Sequence, residues 1–204
     1  MIKPYYEEEN ITIYNEDSIE IMKEYGNRHF DLCLTDPPFG IGNFVQVSGN
    51  IRGKKVIWNN NIPAAGYFEE MKRISEKRII WGANYFNCFE NGGAIVWVKN
   101  QPLPNLSKAE VASCNFYKKT EVFNLTWTNF VNTKETKHPC ERPVELYERC
   151  LYYSMPVVSV IDPFMGSGST AVACKLQKLI YVGIEISKEY CDIAVKRLGQ
   201  EVLF

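Results

Sequence analysis

The sequence has no CxxC pair and no other metal-ligand spacing, although it contains seven cysteines and two histidines. Several of the cysteines stand among apolar residues, where a thiol behaves as a small buried hydrophobe. Their odd number, and the lack of a signal-peptide pattern at MIKPYYEEEN, point to a reducing, cytoplasmic setting. No apolar stretch approaches the ~20 residues of a membrane span, so no membrane partner is expected. An excess of positive charge is also missing. The formal net charge of −1 excludes a general basic coat for nucleic acid but leaves room for a local basic groove. There is no internal repeat and no low-complexity tract. His29 precedes a strand and His138 sits beside Pro139, so neither reads as a metal ligand and no metal is expected.

A chain of 204 residues reads as one domain spanning 1–204, or one domain with a modest insertion. Seven segments have strand character: 11–14, 30–35, 78–83, 94–98, 122–127, 157–162 and 179–185. Helical patterns run over 18–25, 67–76, 143–154, 169–177 and 187–198. The alternation predicts an α/β fold with a mostly parallel seven-stranded sheet covered by helices on both faces. A Gly- and Asn-rich stretch, 41–61, reads as a long loop of the kind that carries function.

Two strand ends carry chemistry. The run DLCLT leads into Asp36-Pro37-Pro38-Phe39. Prolines at 37 and 38 fix φ and remove two N–H donors, leaving the Asp36 carboxylate and the Pro37 carbonyl as acceptors. Two convergent acceptors suit an –NH2 group, and Phe39 offers a flat face for a ring. The plain alternative is a strand closed by a rigid turn.

The second strand end is Asp162-Pro-Phe164-Met-Gly166-Ser-Gly168-Ser-Thr170, followed by a helix. Glycines in a strand–turn–helix let the backbone approach a ligand closely. The turn is not a phosphate loop, since no Lys follows Gly168, and position 171 is Ala, so GxGxxG is incomplete. GxSxG is absent too, which excludes a serine-hydrolase elbow. Glu185 ends the next strand about 20 residues on, where an acidic side chain meets ribose hydroxyls.

TDPPFG, DPFMGSGST and HPCERPVEL, over 138–146, resemble motifs of the β class of S-adenosylmethionine-dependent amino DNA methyltransferases, which act on adenine N6 or cytosine N4. The resemblance covers nearly the whole chain and implies a class I methyltransferase, Rossmann-like fold, circularly permuted so that the target-binding half comes first. It implies S-adenosyl-L-methionine as cofactor, wrapped by Asp162, Phe164, Gly166 and Gly168, with Glu185 on the ribose, Asp17 near the adenine amino group, His138, Arg142 and Pro143 near the methionine part and Thr170 as a further contact. It places Asp36, Pro37, Pro38 and Phe39 at the reacting amino group. Asp17 reads equally as a helix cap, Arg142 as a surface ion-pair former and Pro143 as a helix starter.

DNA is the partner this implies, with a monomer or homodimer and a companion restriction endonuclease in a bacterial or phage setting. The family's fourth motif residue is more often Tyr than Phe, and the region over about 100–137 leaves room for only a minimal target-recognition part. Recognition then falls to loops: 41–61, where Arg52, Lys54 and Lys55 suit phosphates and Trp58 suits stacking, or, second, Lys118-Lys119 with 129–137, the plain alternative being an ordinary solvated loop. The expected reaction is methyl transfer to a flipped adenine N6. The alternatives are cytosine N4, then RNA or a protein glutamine amide, then a nonenzymatic nucleic-acid-binding protein.

Overall fold

In a computed structural model the described residues are 2–40, 62–90, 92–101, 107–126 and 142–200. Arg52, Lys54, Lys55, Trp58, residues 129–137 and His138 lie outside them. In chain order the elements are β1 (Tyr6–Glu8), β2 (Ile11–Tyr14), α1 (Ser18–Lys23), β3 (Phe30–Thr35), α2 (Ala65–Ile74), β4 (Ser75–Trp81), α3 (Ala83–Phe86) and β5 (Gly93–Val98). They continue as β6 (Ala109–Cys114), β7 (Thr120–Asn124), α4 (Val144–Ser154), β8 (Ser159–Asp162), α5 (Ser169–Leu176), β9 (Ile180–Ile184) and α6 (Lys188–Leu198).

The strands form one sheet in the order β1-β2-β9-β8-β3-β4-β6-β5-β7. All seven expected strands are in it, and two more bring the total to nine. One addition, β1, is a short antiparallel edge on β2. The other, β6, inserts antiparallel between β4 and β5, pairing Ile79 and Gly93 with Cys114 from its two sides. Five of the eight pairings are parallel. The boundary near 75 also moves. Residues 75 and 76 fit the helical period, but Ser75 is extended and pairs with Phe30, so β4 starts directly after α2.

Period-two alternation sorts side chains onto two faces. Leu32, Leu34, Val160 and Tyr181 face α4, α5 and α6, through Leu146, Leu151, Ala173 and Ala194. Cys33, Ile161, Val182 and Ile184 face α1 and α2, through Ile21, Met22, Met71 and Ile74. The crossover from β8 to β9 thus runs over one face, and that from β3 to β4 over the other. The sheet reverses its winding between β8 and β3, the position where open α/β sheets hold ligands at the carboxyl ends of their strands.

That strand pair is fastened at its opposite end by Asp31, whose Oδ2 accepts from the N–H groups of Val158 (2.7 Å) and Ser159 (2.9 Å) and from the Ser159 hydroxyl (3.1 Å). Past β8 the chain turns through Gly166 and Gly168 at φ 55° and 80°. At Gly168 a Cβ would come within 2.7 Å of the Ala194 Cβ, where α5 packs on α6. Gly168→Ala therefore meets both a strained φ and a clash, and is expected to cost about 1–3 kcal/mol. Urea denaturation checks this. Ala194→Gly in the same chain should recover part of the loss, since it relieves the contact but leaves the φ.

Candidate active site

Because Cys33 lies opposite Ile161 in parallel register, β3 and β8 deliver Asp36 and Asp162 to the same edge of the sheet. Thr35 joins them. Its hydroxyl donates to Asp162 Oδ1 (2.7 Å), and the Phe164 N–H reaches both oxygens at 3.2 Å. Asp162 is 2 % exposed. Burial pushes its acid up to about 7 against the hydrogen bonds from Thr35, Thr170 and the Phe164 N–H, and the charge of Asp36 adds to the rise.

The glycine turn is tied to the end of β9 by Glu185. Its Oε2 accepts from the Gly166 N–H (3.0 Å) and its Oε1 from the Ser187 N–H (2.8 Å). Burial raises the Glu185 acid while these N–H groups hold it down. Next to it, the apolar side chain of Ile186 is 71 % exposed. A Cβ at Gly166 would meet nothing within 4 Å, so at this glycine the turn opens onto free space rather than onto packed protein. A carboxylate at a strand end, an apolar side chain and a bare turn fit a nucleoside-bearing cofactor, which needs an acceptor for its ribose and room beside the backbone.

Asp17 does cap a helix. Its Oδ1 accepts from the Ile19 N–H (3.1 Å), so Asp17 rather than Ser18 is the cap of α1. It also accepts from the Tyr67 hydroxyl, at 2.8 Å on Oδ1 and 3.0 Å on Oδ2. Burial and this bond push the Tyr67 phenol up to about 12. The Tyr67 ring lies 5.9 Å from that of Phe164, which brings Asp17 and the glycine turn to one neighbourhood.

The DPPF element meets residues that sequence alone does not connect to it. Arg142 donates from Nε (2.7 Å) to Asp36 Oδ2, and its Nη2 forms a 2.6 Å ion-pair contact with the same oxygen. Asp36 Oδ1 is buried and has no hydrogen-bond partner among the described residues. From its third nitrogen, Nη1, Arg142 lies 2.5 Å from Glu110 Oε2, an opposed-charge contact rather than an aligned hydrogen bond, and Glu110 also pairs with Lys99. The side chains of Arg142 and Glu110 are each 11 % exposed and that of Asp36 17 %. Burial and the Glu110 charge raise the Asp36 acid despite Arg142. The Glu110 acid is held low by Arg142 and Lys99, against its own burial. Phe39 stacks on Tyr85, with ring centres 4.8 Å apart at 16°, and the Arg142 guanidinium lies 5.8 Å over the Phe39 ring. Gly82 makes room for this, since a Cβ there would fall 2.2 Å from the Phe39 ring.

Of the expected site residues, Asp36, Pro37, Pro38 and Phe39 adjoin Asp162, Phe164, Gly166, Gly168, Thr170 and Glu185 along one edge of the sheet. The side chain of Arg142 is committed to Asp36 and Glu110. It is its carbonyl that meets the glycine turn, accepting from the Ser169 hydroxyl (2.8 Å). Arg142 is thus a largely covered ion-pair former, not a surface one. Pro143 sits at the cap of α4, one residue before the helix. Glu110, Lys99, Tyr67 and Tyr85 join the site without a motif to announce them.

Asp162 also sets a pH dependence. The native state keeps its proton up to about pH 7, whereas an unfolded Asp releases it near ~4. Native protein therefore binds more protons across that window, and stability falls as pH rises through it. Asp162→Asn keeps an acceptor oxygen for Thr35 and Phe164 but cannot ionise. Urea midpoints at pH 5 and pH 8 should differ less in the variant than in the parent; an equal difference would refute the assignment.

Comparison with known proteins accords with this geometry. Residues 91–196 match the family model of the N6/N4 DNA methylases. Over 98 % of the chain it is 27 % identical to the type II methyltransferase M.ScaI of Streptomyces caespitosus and 28 % identical to M2.LlaDCHI of Lactococcus lactis subsp. cremoris, covering 84 % and 93 % of those proteins. The crystal structure of the M1.HpyAVI–SAM complex superposes with a TM-score of 0.64 at 26 % identity, covering 92 % of this chain and 100 % of that one. PvuII DNA methyltransferase, described as cytosine-N4-specific, shares the fold with a TM-score of 0.68 at 15 % identity, over 99 % of this chain and 91 % of that one. A class I methyltransferase sheet, a glycine turn suited to S-adenosylmethionine and a match over more than half the sequence lead to one conclusion: the chain belongs to the N6/N4 DNA methylase family, the S-adenosylmethionine-dependent DNA amino-methyltransferases.

Proposed function

We propose that this chain methylates the exocyclic amino group of a base turned out of a DNA duplex, adenine N6 in the first place. The observation that carries the reading is Asp36 Oδ1, a buried carboxylate oxygen without a hydrogen-bond partner among the described residues, standing one strand away from the glycine turn. A buried acceptor left unpaired is costly in a folded protein, and such an atom at a ligand edge calls for a donor from the ligand. An amino group supplies it.

Asp36 and the Pro37 carbonyl would each accept one N–H of the amino group and so turn its lone pair away from them. Phe39, held by Tyr85 and cleared by Gly82, would support the ring. A purine covers more of this aromatic surface than a pyrimidine, which favours adenine. S-adenosylmethionine supplies an activated methyl group. Gly166 and the Phe164 segment would lie along the cofactor, and Glu185 would accept from its ribose with the lone pairs its two backbone donors leave. Ile186 would cover an apolar face. Asp162 would act mainly by fixing Thr35 and the turn, since its Oδ1 is already engaged. The amino nitrogen becomes cationic as it takes the methyl group, so an ionised Asp36 lowers the barrier by charge and by orientation. The proton leaves afterwards, and a strong base is not required.

The basic segment Arg52, Lys54 and Lys55, with Trp58, is the proposed DNA contact. Its flanks support this. Gly40 and Ile62, where the described chain stops and resumes, pack against each other directly beside Phe39.

The test is methylation of mixed-sequence DNA with labelled cofactor, followed by digestion to nucleosides. N6-methyladenine is the expected product; N4-methylcytosine would move the target base, and no labelled base would end the reading. Asp36→Ala should lower the rate at least about a hundredfold while thermal stabilisation by S-adenosylmethionine persists.

A further inference from the structure

We propose that Arg142 is a gate on the target-base pocket: its guanidinium holds Asp36 Oδ2 beside the amino-group position, lies over the Phe39 ring, and passes to Glu110 when a base enters. This rests on Asp36 being the acceptor of the base amino group, as proposed above.

Three observations carry it. The first is mimicry. A guanidinium is planar and rich in N–H donors, and Arg142 makes the two kinds of contact the base needs, donation to Asp36 and a place over the Phe39 ring. With Arg142 on Oδ2 and the amino group expected at Oδ1, the two would crowd one carboxylate and lie over one ring. The usual strong arrangement of Arg with a carboxylate uses both oxygens in parallel. Here the hydrogen bond and the ion-pair contact both fall on Oδ2, and among the described residues Oδ1 is left buried and unpaired. The Asp36 pair is therefore less than the best one available to these two groups.

The second observation is charge. Methyl transfer turns a neutral amino nitrogen into a cation. A guanidinium that stayed bonded to Asp36 would set a like charge beside that nitrogen and neutralise the carboxylate meant to stabilise it. The productive complex therefore requires Arg142 to leave Asp36.

The third is a destination. Nη1 already lies 2.5 Å from Glu110 Oε2, so the exchange needs rotation of a side chain and not a journey across the protein. Arg142 and Lys99 hold the Glu110 acid below its usual range, which keeps it a charged acceptor. A cavity of about 110 Å3 lies on the Glu110 side of Phe39, lined also by Tyr85 and Asn84. Leaving Asp36 for Glu110 also keeps the buried charge paired, as a buried guanidinium must be.

Glu110 is on this account a positioning residue, and the test is a kinetic cycle on the full chain with mixed-sequence DNA and S-adenosylmethionine. Arg142→Gln is expected to lower the KM for DNA five- to tenfold, because the base no longer displaces a cation. Glu110→Gln should raise that KM about tenfold, and Glu110→Asp should restore most of it. In the double variant the Glu110→Gln effect should vanish, since no guanidinium remains to be received; coupling of this kind separates an exchange from two independent structural losses. Additive effects, or a hundredfold fall in kcat with unchanged KM in Arg142→Gln, would overturn the gate and leave Arg142 as a fixed support of Asp36. Stabilisation by S-adenosylmethionine, measured on each variant, confirms that it is folded. If the parent chain methylates no DNA, the amino-group reading fails first, which is a different result from an additive cycle in an active enzyme.

Discussion

The hydrogen bond from Thr35 to Asp162, closed within the protein at the ends of β3 and β8, holds the two halves of this site together. Each half hangs from one of these strands, and residues 35 and 162 are far apart in sequence. Thr35 both donates to Asp162 and accepts from the Phe164 N–H, so one hydroxyl sets where DPPF ends and where the glycine turn begins. Asp31 performs the matching task at the other end of the pair with three donors. A strand pair fixed at both ends cannot slip in register, and a slip of one residue would send Asp36 to the wrong face. Placement to within fractions of an ångström is what methyl transfer by orientation demands.

Around that frame the electrostatics are balanced on a small scale. Asp36, Arg142, Glu110 and Lys99 alternate in sign and come from four separate parts of the chain. Burial makes each of them expensive alone, so the group is stable only as a chain of pairs. Burial and the Glu110 charge raise the Asp36 acid against Arg142, whereas Glu110 has a cation on either side and its acid is held low.

Much of this was legible in the sequence where chemistry is local. TDPPFG and DPFMGSGST each specify their own turn through proline and glycine, so their residues could be named and their strands placed side by side. Seven strands follow from runs such as ITIY and AIVWV. The segment AEVASC of β6 escaped because its small residues give little apolar alternation; it is a strand because two neighbours enclose it. Glu110 rides on that strand, and its role exists only once Arg142 arrives beside it. Arg142 pairs with Asp36 across 106 positions, a relation no spacing encodes. Asp17 shows the converse: its capping role was readable from the turn, while its bond to Tyr67 depended on how α2 packs on α1.

The contact between Gly40 and Ile62 has an evolutionary side. The two residues meet, and the entropy of bringing the ends of a connection together rises only as the logarithm of its length, roughly 0.6 kcal/mol for each doubling. Residues can be added, lost or exchanged between those ends with little demand on the sheet beneath. On the proposed reading, the part of the chain that meets DNA is then free to drift, while the strand ends that carry the two motifs are held still. One catalytic frame can in this way acquire many addresses.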